Sequence, residues 1–181
     1  DANNLNPLYG FFVARAGLGA SESMRSKLAE YNDPRLSRAF ITKQGTSGKE
    51  QAPGTADNAV YAPNGTPEQG TSKYGTSLFM YSISAPTLLL SYHELKFLEA
   101  EALCRLERDA KSALKDAVVA GLLNAENSFT ISRKELGKTL INAASSITEA
   151  EAESYFDNTI EAKYTAEPLK TTMTQKYFAL W

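Results

Sequence analysis

Apolar residues recur at helical spacing along much of the second half of the chain, and the stretch from Ser91 to Leu106 carries the clearest pattern. At about 100° per residue, Leu95, Leu98, Ala102 and Leu106 fall on one side of a helix, and Phe97, Ala100 and Cys104 fall on nearly the opposite side. Ser91 followed three residues later by Glu94 is a capping box and fixes the start. Polar seams separate the two stripes, Glu94, Glu101 and Arg105 on one flank and Lys96 with Glu99 on the other, suited to weak ion pairs. Two apolar stripes predict a helix sandwiched between layers and buried on both faces.

The same reading extends in both directions. Tyr9 to Val13 has the aromatic and β-branched content of a short extended segment. Ser21 caps a helix whose Met24, Leu28 and Tyr31 share a face, and Asn32-Asp33-Pro34 stops it. An extended connection over 35–41 and a strand or buried extended piece over 78–83 are expected, and Leu88-Leu89-Leu90 is placed to staple against Leu95. After a tight turn, Asp109 caps a partner helix in which Ala110, Ala113, Leu114, Ala117, Val118 and Gly121 form a small-residue stripe for close approach. The short connection makes residues 91–125 an antiparallel hairpin of the tetratricopeptide (TPR) kind.

Phe129-Thr130-Ile131 reads as extended, with Ser132 and Glu135 starting another helix. Thr148 and Glu151 start the next, from about Glu149 to Lys163, with Ala152, Phe156 and Ile160 on one face. Pro168 opens a last helix with Leu169, Met173, Tyr177 and Leu180 as its buried stripe. Phe178 and Trp181 lie off that stripe, a surface expected to be covered by further polypeptide. The fold class is mostly α, TPR-like helical hairpins with long loops and a few short strands.

Residues 42–77 break the pattern. Gly, Pro, Ser, Thr, Asn and Gln dominate, which predicts one long loop, and loops of that length inside a domain are usually functional or disordered. Tyr61 and Tyr74 stand in it with Asn64 nearby, a flat ring for a pyranose face and an amide for hydroxyls. Tyr61, Asn64 and Tyr74 are the candidate carbohydrate-binding residues, and a loop with incidental tyrosines is the competing reading.

Composition narrows the function. Nineteen basic against twenty-one acidic side chains leave a formal charge of −2 with no basic run, so nucleic acid is not an expected partner. The one cysteine, Cys104, sits on an apolar face as a small hydrophobe, and the one histidine, His93, has no second ligand beside it in sequence. No metal, cofactor or catalytic residue is expected. Glu149, Glu151 and Glu153 gather where a helix N-terminus favours negative charge. No apolar run approaches the length of a membrane span.

Three motifs carry a resemblance. Tyr92, Glu94-Leu95, Phe97 and Ala100-Glu101-Ala102 resemble a helix signature of the SusD/RagB family of outer-membrane nutrient-binding lipoproteins from Bacteroidetes. Asn32-Asp33-Pro34-Arg35-Leu36 resembles that family's "DPRL" element, and Gln175-Lys176-Tyr177 its "QKY" helix. All three stand in the family's order. Because its members are usually more than twice as long, the resemblance implies that residues 1–181 are a fragment of a single SusD-like domain, with signal peptide and lipid anchor outside it. It also implies an array of TPR-like hairpins, a cell-surface location, and capture of an oligosaccharide or other nutrient for a SusC-type TonB-dependent porin. The alternatives are a TPR-like protein-interaction scaffold and a glycoside-processing enzyme.

Overall fold

The computed structural model describes residues 6, 7, 9, 10, 19–44, 49–51, 61–65, 76, 77, 83, 84, 88–136 and 145–181. Within these the protein is mostly helical. Helix α1 is Glu22–Glu30, strands β1, β2 and β3 are Phe40–Gln44, Lys49–Gln51 and Thr76–Ser77, α2 is Tyr92–Arg105 and α3 is Lys111–Leu136. Helix α4 comprises Glu149–Tyr155, a π-helical turn Phe156–Ile160, and Glu161–Ala166, and α5 is Pro168–Ala179. The chain divides into two compact units: Asp1–Glu30, Arg35–Thr87 and Asn127–Ser146 form the first, and Tyr31–Pro34, Leu88–Glu126 and Ile147–Trp181 the second.

In the first unit, Ser21 Oγ accepts the Met24 N–H at 3.4 Å, and α1 buries Met24 and Leu28. β1 lies between β2 and β3, antiparallel to both, with Thr42 opposite Gln51 and Phe40 opposite Ser77. These strands lie at and within the borders of segment 42–77. Tyr9 and Gly10 are helical instead of extended, because Asn6 begins a turn: its carbonyl accepts the Gly10 N–H at 2.9 Å and its side chain the Tyr9 N–H at 3.4 Å. Residues 11–13 and 78–82 lie outside the described part. Glu135 accepts the backbone N–H groups of Ile83 and Ser84 at 2.6 and 3.1 Å, which ties a turn to the end of α3.

The second unit is built on α2, which packs on α5. Ser91 Oγ accepts the Glu94 N–H at 3.3 Å, so the sequence-derived cap is present. Lys96 pairs with Glu99 at 3.0 Å, and Glu101 joins Arg105 at 2.8 Å and Lys176 of α5 at 2.7 Å. The two cations, Lys176 before Arg105, hold the Glu101 carboxyl below its usual range. The helix ends with Glu107 at φ 55°; its N–H donates to the Cys104 carbonyl and the Arg108 N–H to the Leu103 carbonyl, a Schellman closure. Asp109 then accepts the Lys111 N–H at 3.0 Å, and α3 begins.

Ala110, Ala113, Leu114, Ala117 and Val118 are buried as the small-residue stripe predicts. A Cβ on Gly121 would stand 3.2 Å from Ala179 Cβ, so this glycine sets how closely α3 and α5 approach. Helix α3 continues through Phe129-Thr130-Ile131 and Ser132, where the sequence alone predicts an extended piece and a new cap. The chain from Leu122 to Leu136 holds neither Gly nor Pro, and Leu122, Ala125, Phe129 and Ser132 are buried at helical spacing. That burial outweighs the modest β preference of three residues.

Two stripes are corrected. Phe97 and Ala100 are fully buried, but Leu95 is 53% and Leu98 46% exposed, so α2 buries one face and not two. Leu88, Leu89 and Leu90 also stay exposed instead of forming a buried staple. In α5 the expected core stripe, Leu169, Met173, Tyr177 and Leu180, faces outward, while Thr171, Thr172, Gln175 and Phe178 are buried. Phe178 is therefore covered within this unit, edge-on to Tyr31 with centroids 5.4 Å apart, and Trp181 is half-buried. Polar residues can take the inner face because partners meet them there: Thr172 lies 3.5 Å from Cys104 Sγ, and Gln175 donates to the Tyr155 hydroxyl at 3.4 Å. Tyr155 in turn donates to Asp33 at 3.1 Å.

Helix α4 starts at the predicted cap, Thr148 Oγ1 accepting the Glu151 N–H at 3.2 Å, and buries Ala152, Phe156 and Ile160. Tyr164 near its end is buried, accepts the Ala110 N–H at 2.8 Å and donates to Asp109 at 3.2 Å, so α4 is locked to the turn before α3. Burial pushes its hydroxyl pKa up.

Candidate functional site

Two places offer binding chemistry, one in each unit. In the first, Ala62 forms a parallel bridge with Ser21, which fixes the turn carrying Tyr61 and Asn64. Tyr61 is half-buried, its ring edge-on to Phe40 with centroids 5.3 Å apart and the Arg25 guanidinium 5.8 Å from its centroid. Burial raises its hydroxyl pKa against the opposing pull of Arg25. Asn64 is exposed and accepts from Ser21 Oγ at 3.3 Å, while Gly65 takes φ 78°. Tyr61 and Asn64 thus share one turn. Tyr74 lies outside the described residues.

The second place is a cavity of about 650 Å³ in the other unit, formed by the start of α2, the middle of α3 and the first turns of α4. Its size is that of a small-molecule site. Val119 and Leu123 supply apolar wall, and Tyr92, Asp116, Asn124, Glu149 and Glu153 supply polar groups. Tyr92 is 61% exposed, with Lys96 Nζ 6.0 Å from its ring centroid. Buried His93 also lines the cavity, its Nε2 3.2 Å from Ser91 Oγ.

The charges around this cavity are mostly committed. Lys115 pairs with Asp157 at 2.6 Å and Lys96 with Asp116 at 3.2 Å, and each ammonium is held above its usual pKa, Lys115 chiefly by Asp157 and Lys96 by Glu99 then Asp116. Glu149 and Glu153 stand exposed at the rim, Glu149 in the first turn of α4 where the helix dipole favours negative charge. Among the described residues no cluster of three or more His, Cys, Asp or Glu could hold a metal ion.

Tyr92, Asn124 and the two glutamates come from three different elements, so sequence spacing does not join them. The motif residues behave differently. Glu101 of α2 meets Lys176 of α5, and Asp33 meets Gln175 through the Tyr155 hydroxyl. Residues from all three motifs, Glu101, Asp33, Gln175 and Lys176, thus meet within the second unit.

Over residues 1–181 the chain matches a SusD-like family described as "Starch-binding associating with outer membrane". The chain is a member of the SusD/RagB family. A crystal structure of a SusD/RagB family protein from Bacteroides thetaiotaomicron VPI-5482 is similar at 58% identity and TM-score 0.92, covering 100% of this chain. This SusD/RagB member spans 39% of the length of that protein. No curated protein matches it. Among the described residues, no helix is long and apolar enough to cross a membrane.

Proposed function

We propose that this SusD/RagB member takes part in non-catalytic capture of a nutrient, a glycan, at the outer surface of the cell, for delivery to a SusC-type TonB-dependent transporter. The family match along the whole chain carries the reading. Attachment to the membrane would be through a lipid anchor. Asn64, with its exposed amide, and the rings of Tyr61 and Tyr74 are the contacts proposed for segment 42–77, which in this reading is a loop insertion in a single SusD-like domain. Affinity of this kind comes from hydrogen bonds to hydroxyls and stacking on rings, without any group moving a proton.

The experiment is a glycan array followed by calorimetry on the intact protein. The expected result is saturable binding of at least one glycan that is recovered unshortened. Release of shortened sugar would favour the glycoside-processing alternative, and the absence of any glycan ligand would overturn the reading. A second reading, a TPR-like interaction scaffold centred on residues 91–125, is favoured by the outward apolar residues Leu95, Leu98, Met173 and Tyr177. Its signature is a partner protein whose binding is lost on Leu98→Ser with glycan binding retained.

A further inference from the structure

We infer that the cavity between α2, α3 and α4 is a saccharide subsite that accepts uncharged sugars and rejects acidic ones such as uronates. The inference rests on the glycan reading above and names the sugar class for one place in the fold. A sugar ring is amphipathic, with C–H faces and a rim of hydroxyls. The cavity matches both parts: Val119, Leu123 and the exposed Tyr92 ring offer apolar area, and Asn124 adds amide groups.

Charge sets the class. Among the described residues, Glu149 and Glu153 line the cavity as exposed carboxylates, while Asp116 is paired with Lys96 at 3.2 Å and the ammonium of the lining, Lys115, is engaged by Asp157 at 2.6 Å. Carboxylates accept hydrogen bonds from neutral hydroxyls, so a neutral sugar gains from them. A uronate brings a like charge to the same rim, where the lysines among the described residues, Lys96 and Lys115, are already paired with Asp116 and Asp157. The repulsion acts across solvent-exposed groups, so it weakens as salt is raised.

The test is calorimetry on the intact protein with a neutral maltooligosaccharide and an oligogalacturonide of equal length, each at low and high salt, together with backbone amide shifts during the titrations. The expected result is at least tenfold tighter binding of the neutral sugar at low salt, with shifts at Asn124 and Glu153. Tyr92→Ala should weaken that binding at least tenfold; the side chain is exposed, and an unchanged melting temperature would separate this loss from unfolding. In Glu149→Gln/Glu153→Gln the ratio of the two dissociation constants should fall toward one. Neutral-sugar binding that is unaltered in Tyr92→Ala, with shifts elsewhere, would overturn the subsite and leave the glycan reading standing. Equal affinity for the uronate in the wild type would overturn the charge argument. If no glycan of any class binds, both readings fall together.

Discussion

Single residues explain both what the sequence discloses and what it conceals. The caps at Ser91, Thr148 and Asp109 are local chemistry, each satisfied within a few residues of itself, so they are readable before any fold is known. Glu107 shows the reverse: nothing in its neighbours announces the left-handed conformation at φ 55°. A side chain in that region is strained by about 1 kcal/mol, so Glu107→Gly should stabilise the protein by roughly 0.5 to 1 kcal/mol in chemical denaturation. Glu101 makes a pH prediction. Its folded pKa lies below the unfolded value near 4.5, so the ion pairs with Lys176 and Arg105 stabilise fully above that pH and fade as pH falls through the folded value. The melting temperatures of wild type and Glu101→Gln should therefore differ most near neutrality and converge in acid.

At the scale of elements, periodicity finds helices more reliably than it orients them. Helix α2 has two apolar stripes, and only the one with Phe97 and Ala100 is buried. Phe97→Ala should cost about 3 to 5 kcal/mol, whereas Leu98→Ala should cost no more than about 1 kcal/mol, measured as shifts in denaturation midpoint at constant slope. Helix α5 is harder still. Leu169, Met173 and Tyr177 point out while Phe178 is buried, because Thr172 and Gln175 find partners inside, and those partners, Cys104 and Tyr155, belong to other elements. Hydrogen bonding between distant segments has no period. The extended reading of 129–131 fails for a similar reason: three residues with β preference weigh less than a buried helical face running from Leu122 to Ser132.

For the molecule as a whole, the helical class was legible, and so was the family, because three short motifs in order carry it, and some of their residues, Glu101 with Lys176 and Asp33 with Gln175 through Tyr155, are joined in the second unit. The cavity was not legible, because Tyr92, Asn124 and Glu153 are far apart in sequence and ordinary in composition. Tyr61 and Asn64 are candidates on side-chain chemistry alone, and only the structure shows Phe40 and Arg25 against the tyrosine ring. The π-helical turn Phe156–Ile160 has a consequence of another kind. Such a turn holds one residue more than the regular helix needs, and so acts as a register setting between the Thr148 cap and the Tyr164 lock. Removing one residue from it would rotate everything beyond by about 100°, swinging Tyr164 away from Asp109 and Ala110. The spacing across this helix is a fixed dimension, and a length change here would be felt at the far end as a misaimed hydroxyl.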